Sequence, residues 1–327
     1  VKRRKFVGLI GGAAIWPLVA RAQQTPAVGP TIGLLSSQDI ADWMIGGVRR
    51  GLGEAGYVEG RNLTIVSRAA EGQPDRLPAM AADLVNARVA AILAGGGPLP
   101  TRAAKAATTT IPIVFAYGGD PVADGLVTSI SRPEGNVTGA TFIGASLTAK
   151  RLELLRELVP GATAVALLVN PGNTLAKGQT EDAAAAAKTL GLSLRVINAS
   201  NAGEMDEAFA TMGRLKVDLA IVGVDPTFGF LLRDQIIALA ARYRIPAMFD
   251  ARVQVEAGGL IGYGPVLPET WRQAGGYVGR ILKGTKPSDL PILQPTRFEL
   301  VINLKTAKAL GLDVPPGLLA RTDDVIE

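Results

Sequence analysis

A chain of 327 residues, 48% hydrophobic, with 34 Lys and Arg against 29 Asp and Glu and neither histidine nor cysteine, exceeds what one core usually serves and predicts two domains. The missing residues exclude Ser-His-Asp and Cys-His catalysis, leave a zinc or copper site only carboxylates, and rule out disulfides. Residues 1–22 hold five of the basic residues and no acidic one, so the remainder is formally neutral and has no global electrostatic reason to seek nucleic acid or anionic lipid.

In chain order, the first segment reads as an export leader. Lys2-Arg3-Arg4-Lys5 precedes an apolar run from Phe6 to Ala20, and Ala20-Arg21-Ala22 supplies an A-x-A cleavage pattern, which places the mature start near Gln23. The run is too short, and too broken by glycines and Pro17, to span a bilayer of ~30 Å, so no membrane insertion is expected. Arg3-Arg4 followed by Phe6 resembles a twin-arginine leader, while Lys5 and Val7 also suit the general secretory route. No cysteine follows for a lipid anchor.

From residue 31 short apolar runs alternate with amphipathic segments, the pattern of parallel βα units. Strands are predicted at Thr31–Leu35, Leu63–Ser67, Ala90–Ala94 and Ile113–Ala116, with helices at Asp42–Ala55, Asp75–Asn86 and Thr101–Thr109. A second series follows Gly139. It comprises helix Leu147–Val159, strand Ala164–Val169, helix Thr174–Leu190, strand Ser193–Ile197, helix Glu204–Leu215, strand Leu219–Val224, helix Phe228–Tyr243 and strand Ala247–Phe249. Asn201 three residues before Glu204 is a capping-box-like helix start. The tail predicts a helix over Glu269–Lys283, a proline-marked stretch Pro287–Pro295, a strand at Phe298–Ile302 and a helix at Thr306–Leu310, and could cross back between lobes. The fold class expected is α/β: two doubly wound parallel-sheet lobes with a hinge and an interlobe cleft, function sitting at the carboxyl ends of the strands.

Those strand ends carry small and polar residues. Ser36 and Ser37 follow the first strand, Gly96 the third, and Tyr117 and Asp120 the fourth; Asn170, Asn173 and Thr174 follow the first strand of the second series, with Asp225 and Asp250 after later ones. Hydroxyls and free backbone N–H groups at helix starts favour a carboxylate or phosphate, whereas Asp120, Asp225 and Asp250 favour an ammonium group, so the set fits a zwitterion such as an amino acid. Such residues also dominate ordinary turns. Tyr117, Phe142, Phe228 and Tyr263 could form an aromatic wall, although Phe142 and Phe228 read more readily as core. Gly95-Gly96-Gly97 matches neither the P-loop nor the G-x-G-x-x-G spacing, and no cofactor or metal site is expected.

Several segments together resemble one family: Phe115-Ala116-Tyr117-Gly118-Gly119-Asp120-Pro121-Val122, the hinge-like Gly135-Asn136-Val137-Thr138-Gly139, and Phe298-Glu299-Leu300-Val301-Ile302-Asn303 with the tail through Val314-Pro315-Pro316 to Asp324-Val325-Ile326. The chain is similar to the periplasmic substrate-binding proteins of ABC transporters, in the group related to tryptophan- and phenylalanine-binding receptors, with a type I periplasmic-binding fold. The resemblance implies that residues 30–143 and 264–290 form one lobe and residues 144–263 and 291–327 the other. It implies a monomer in the periplasm that closes on a small solute, serves a membrane permease, and catalyses nothing. Ser36, Ser37, Tyr117, Asp120, Asn170, Asn173, Thr174 and Asp225 fall where relatives place ligand contacts. Two alternatives share the fold. An exported enzyme would need two carboxylates, such as Asp120 and Asp225, at controlled separation, and a sugar-responsive repressor would begin with a helix-turn-helix where this chain has its leader.

Overall fold

The computed structural model describes residues 29–142 and 147–327, so the predicted leader lies outside the described residues. Two separate sheets organise the chain. The first has the order β2-β1-β3-β4-β5, all parallel, from β1 (Thr31–Ser36), β2 (Thr64–Ala69), β3 (Ala91–Gly95), β4 (Ile113–Tyr117) and β5 (Val137–Thr141). The second runs β12-β11-β10-β9-β8-β6-β7. Its parallel part is β6 (Ala164–Val169), β7 (Ser193–Asn198), β8 (Leu219–Val222), β9 (Ala247–Phe249) and β10 (Ile261–Pro265). On this, β11 (Phe298–Asn303) is added antiparallel, followed by β12 (Asp324–Ile326).

Central strands are buried on both faces, and their residues feed alternately into two cores. In β6, Val165, Leu167 and Val169 enter one cluster, Ala166 and Leu168 the other. In β1, Ile32 and Leu34 are separated from Leu35 in the same way. That is the period of two expected when helices cover both sides of a sheet. The edge strand β7 is half-buried only at Leu194 and Ile197 and exposed elsewhere, which is why its pattern is the more polar.

The expected helices form as α1 (Asp42–Glu54), α2 (Leu77–Asn86), α3 (Pro98–Ala107), α4 (Thr148–Leu158), α5 (Ala176–Thr189), α6 (Ala202–Arg214) and α7 (Arg233–Tyr243). The capping box closes at α6: Asn201 Oδ1 accepts from the Glu204 N–H at 3.1 Å, and the Glu204 carboxylate accepts from the Ser200 N–H at 2.7 Å. The helix predicted from Phe228 is in fact divided. Thr227–Leu231 forms one wide π turn before α7 begins at Arg233.

Five elements escaped the sequence pattern: β5, the short α8 (Arg252–Glu256), β10, the short α11 (Pro316–Leu319) and β12. Between them and the predicted α9 (Leu267–Leu282) and α10 (Leu304–Leu310), the tail does return across the molecule. β10 continues through Gly264 and Pro265 in the second sheet. Then α9 packs on α1 of the first lobe, and the chain stays there through Leu293, which bridges Ala140. The α1–α9 contact is close because both faces carry glycine: a Cβ on Gly51 would lie 1.9 Å from the Arg272 carbonyl oxygen, and one on Gly275 would lie 2.4 Å from that of Val48.

Candidate functional site

The carboxyl ends of the two sheets face each other across a cavity of about 80 Å³. That is several times the ~10–15 Å³ one water requires. The first lobe contributes Trp43 and Met44 from α1, Gly96 to Pro98 at the start of α3, Tyr117 and Gly118 after β4, Phe142 after β5, and Leu267 and Trp271 from α9. The second contributes Asn173, Leu175, the run Val224 to Pro226, Gly229 and Phe230 of the π turn, and Asp250, Ala251, Val253 and Gln254 around α8. Both anionic residues of the lining thus belong to the second lobe, whereas the first offers aromatic and small residues.

The lobes touch around this cavity. Trp43 stacks on Phe230 with ring centroids 6.4 Å apart and planes 14° from parallel, and Phe230 packs against the core of the opposite lobe. Tyr117 presents a ring rather than a hydroxyl. Its O–H donates to Asp124 Oδ2 at 2.9 Å, and burial beside that carboxylate pushes the phenol far above its ordinary value, so it stays neutral. Trp271 lies over Gly95, where an added Cβ would come within 2.2 Å of its ring.

Asp225 has a different task from the one its sequence position suggests. Oδ2 accepts from Asn170 Nδ2 at 3.1 Å and Asn173 Nδ2 at 2.7 Å, while Oδ1 accepts from the backbone N–H groups of Thr227 at 2.8 Å and Phe228 at 3.2 Å. Four donors fill the roughly four lone-pair positions of a carboxylate. Asp225 therefore ties the turn after β6 to the start of the π turn and has no acceptor site left for an ammonium group. Gln179 braces the same loop from behind, its amide accepting from the Val224 N–H at 2.6 Å and donating to the Val224 carbonyl at 3.2 Å.

Asp250 lies on the same second-lobe wall, close enough to Asp225 for that carboxylate's charge to help raise its own carboxyl. Gln254 Nε2 donates to its Oδ1. Behind it lies Arg151 of α4, only 1% exposed, whose Nε donates to the Tyr263 carbonyl at 2.7 Å. Burial pushes the Asp250 carboxyl up and the Arg151 guanidinium down, each opposed by the charge of the other.

Of the residues singled out from sequence, Gly96, Tyr117, Phe142, Asn173, Asp225 and Asp250 line this cavity. Ser37, Asn170 and Thr174 line an adjoining crevice at the mouth of the cleft, which Gly96, Asn173 and Asp225 share. Ser37 Oγ donates to the Gly96 carbonyl, and Ser36 Oγ accepts from the Gln38 N–H at 3.2 Å, so both hydroxyls serve the turns. Asp120 is spent on a turn too, accepting from the Val122 and Ala123 N–H groups at 2.8 and 3.2 Å. It lines a neighbouring crevice whose lining does not include Asp225. Tyr263 packs on Phe298 at 6.3 Å, outside the cavity, and Phe228 is core.

The sequence reading passed over Trp43, Phe230, Gln254 and Trp271. The first and last sit within helices and read as core; yet they are two of only three tryptophans in the chain, a signal that rarity alone could have raised. Among the described residues no cluster of three metal-ligating side chains occurs, and no helix is long and apolar enough to cross a membrane.

Comparison with known proteins agrees with this architecture. A tyrosine-binding protein of Clostridioides difficile is 27% identical over 269 residues, covering 81% of this chain and 76% of that protein. Among solved structures, a conserved domain protein of Vibrio cholerae superposes with a TM-score of 0.84 at 27% identity, covering 90% of this chain and 99% of the other. An ABC domain in complex with L-Trp from Streptococcus pneumonia superposes with a TM-score of 0.83 at 25% identity, covering 91% and 100%. The sequence pattern described as ABC transporter substrate binding protein matches residues 32–326, nearly the whole described chain. With two doubly wound lobes closed around a shared cavity, the chain belongs to the ABC transporter substrate-binding protein family.

Proposed function

We propose that the interlobe cavity receives an aromatic amino acid, which the protein binds outside the cytoplasmic membrane and hands to a membrane permease without altering it. The observation that carries this reading is the lining itself. Trp43, Phe142, Phe230 and Trp271 supply an aromatic wall from both lobes, and the charged groups are confined to the Asp225 and Asp250 end. An aromatic side chain is matched by rings at offset or edge contact, and a positively charged amine by the acidic side. The relatives whose names carry L-Trp and tyrosine support the same ligand class.

Function as a monomer, and export through residues 1–22, complete the reading. Closure on the ligand needs no chemistry beyond differential affinity for the closed form.

Isothermal titration of the mature protein with L-tryptophan, L-tyrosine and L-phenylalanine, beside L-leucine, L-glutamine, ribose and adenosine, tests the proposal. At least one aromatic amino acid should bind saturably and unchanged. At a hundredfold excess over Kd it should stabilise the fold by about 2.7 kcal/mol in a melting experiment. Binding confined to the sugar or the nucleoside would refute the ligand class, and disappearance of a bound solute in the presence of protein alone would refute the transport role.

A further inference from the structure

Two buried polar atoms in the cavity wall have no hydrogen-bond partner: Gln254 Oε1 and Trp271 Nε1. Their residues are 2% and 1% exposed, and they come from opposite lobes. A buried polar group without a partner costs about 1–3 kcal/mol, and Trp is ordinarily placed where its N–H is satisfied. One orphan is an acceptor and the other a donor. Gln254 Nε2 donates to Asp250 Oδ1, which leaves the amide oxygen as the atom without a partner. Gln254 thus lies beside the Asp250 carboxyl, and Trp271 lines the cavity from the other lobe, which contributes no charged lining residue.

We propose that Asp250 and Gln254 Oε1 receive the ammonium group of the ligand, while the Trp271 indole N–H donates to its carboxylate, so that a zwitterion satisfies both orphans and joins the lobes. This rests on the ligand being an amino acid, as proposed above, and moves the ammonium site from Asp225, whose acceptor positions are full, to Asp250 on the same wall. Arg151 behind Asp250 offsets the charge of that carboxylate in the ligand-free protein. The amide of Gln254 then adds an oriented acceptor that contributes no further negative charge. Asp225 becomes a positioning residue. It holds the turn that carries Asn173 and the π turn that carries Phe230.

The test uses paired probes: L-tryptophan, its deamino analogue indole-3-propionate, and its decarboxy analogue tryptamine, titrated by calorimetry into wild-type protein and variants. If another amino acid is the tighter ligand, the corresponding three compounds are used. Wild type should prefer the amino acid to either analogue by at least tenfold. Gln254→Met and Asp250→Asn should weaken the amino acid and the amine tenfold or more while leaving the deamino acid within twofold. Trp271→Phe should weaken the amino acid and the deamino acid while leaving the amine within twofold, and Asp225→Asn should weaken all three alike.

If Gln254→Met and Asp250→Asn lower the three probes equally, or the deamino acid binds wild type as tightly as the amino acid, the ammonium assignment is overturned. Should Trp271→Phe fail to fold, the Gln254 and Asp250 arm still decides it. A wild type that binds leucine but no aromatic amino acid defeats the aromatic reading alone, because leucine, isocaproate and isoamylamine then carry the same comparison. A ligand without an amine defeats the inference and leaves the transport role standing.

Discussion

One absent Cβ shapes the cavity floor. Gly95 ends β3 without a left-handed backbone angle, so the residue is required for space: an alanine there would place its methyl 2.2 Å from the Trp271 ring. The ring has little room to retreat, being 1% exposed and embedded in the first-lobe core. Overpacking of this kind costs about 1–3 kcal/mol. Gly95→Ala is therefore expected to lower stability by that amount in urea unfolding, and to weaken ligand binding beyond tenfold in calorimetry by tilting the indole. If the variant binds as tightly as wild type, the Trp271 face is not part of the binding surface. Asp225 carries the converse lesson about single residues. Its place at a strand end predicted a ligand contact; the Thr227 and Phe228 N–H groups that occupy one oxygen are local, but the two donors on the other, Asn170 and Asn173, lie more than fifty residues away and could not be read from a position in sequence.

At the scale of elements, what was legible in the sequence had a local cause. The α6 capping box, the βα alternation and the wholly apolar runs of β3, β4, β6 and β8 follow from neighbouring residues. β10 was not legible. It reads Ile-Gly-Tyr-Gly-Pro, and its glycines answer to a distant constraint, a Cβ on Gly264 falling 1.8 Å from the Asp250 carbonyl oxygen. The π turn at Thr227–Leu231 combines a local and a distant tie, since Asp225 gathers the N–H groups of Thr227 and Phe228 and is itself held by Asn170 and Asn173. A comparable non-local tie anchors the start of β6. Asp218 accepts from the Thr163 N–H at 2.7 Å, the Thr163 hydroxyl at 3.0 Å and the Ala164 N–H at 2.9 Å, and these bonds hold its carboxyl below the usual range. Hydrogen bonds to a charged acceptor of this kind contribute about 1.5–3 kcal/mol. Since the folded pKa is the lower one, the contribution is present above the ordinary carboxylate value near 4 and is lost as pH falls through the folded value. Asp218→Ala should thus cost about 1–2 kcal/mol at pH 7, and the gap between variant and wild-type melting temperatures should narrow below pH 4. A gap that stays constant from pH 7 to pH 3 would mean that the charge of Asp218 contributes nothing.

For the whole molecule, the cavity is lined from both lobes and is formed only while they are together. Trp43 and Phe230 stack across the cleft, and the neighbouring approaches are made by glycine: Cβ atoms on Gly97 and Gly118 would each lie 3.4 Å from the second lobe, at Pro226 and Val224. Neither aromatic is fully buried, so truncating either should loosen the closed form while sparing the lobe interiors. Aromatic pairs contribute about 0.5–1.5 kcal/mol beyond their buried area, which corresponds to a shift of roughly two- to tenfold in the ratio of closed to open protein. Trp43→Ala and Phe230→Ala are each expected to raise the radius of gyration of the ligand-free protein in small-angle scattering, and saturating ligand should restore the compact value. Each should also lower affinity, since the ligand must then supply the closure that the stack supplied. The double variant gives the sharpest reading. If the two rings act on each other, their effects on affinity will fall short of additivity by about 0.5–1.5 kcal/mol. Strict additivity would mean that each ring meets the ligand alone and that closure rests on the approach of Gly97 and Gly118 to the Pro226 and Val224 side chains.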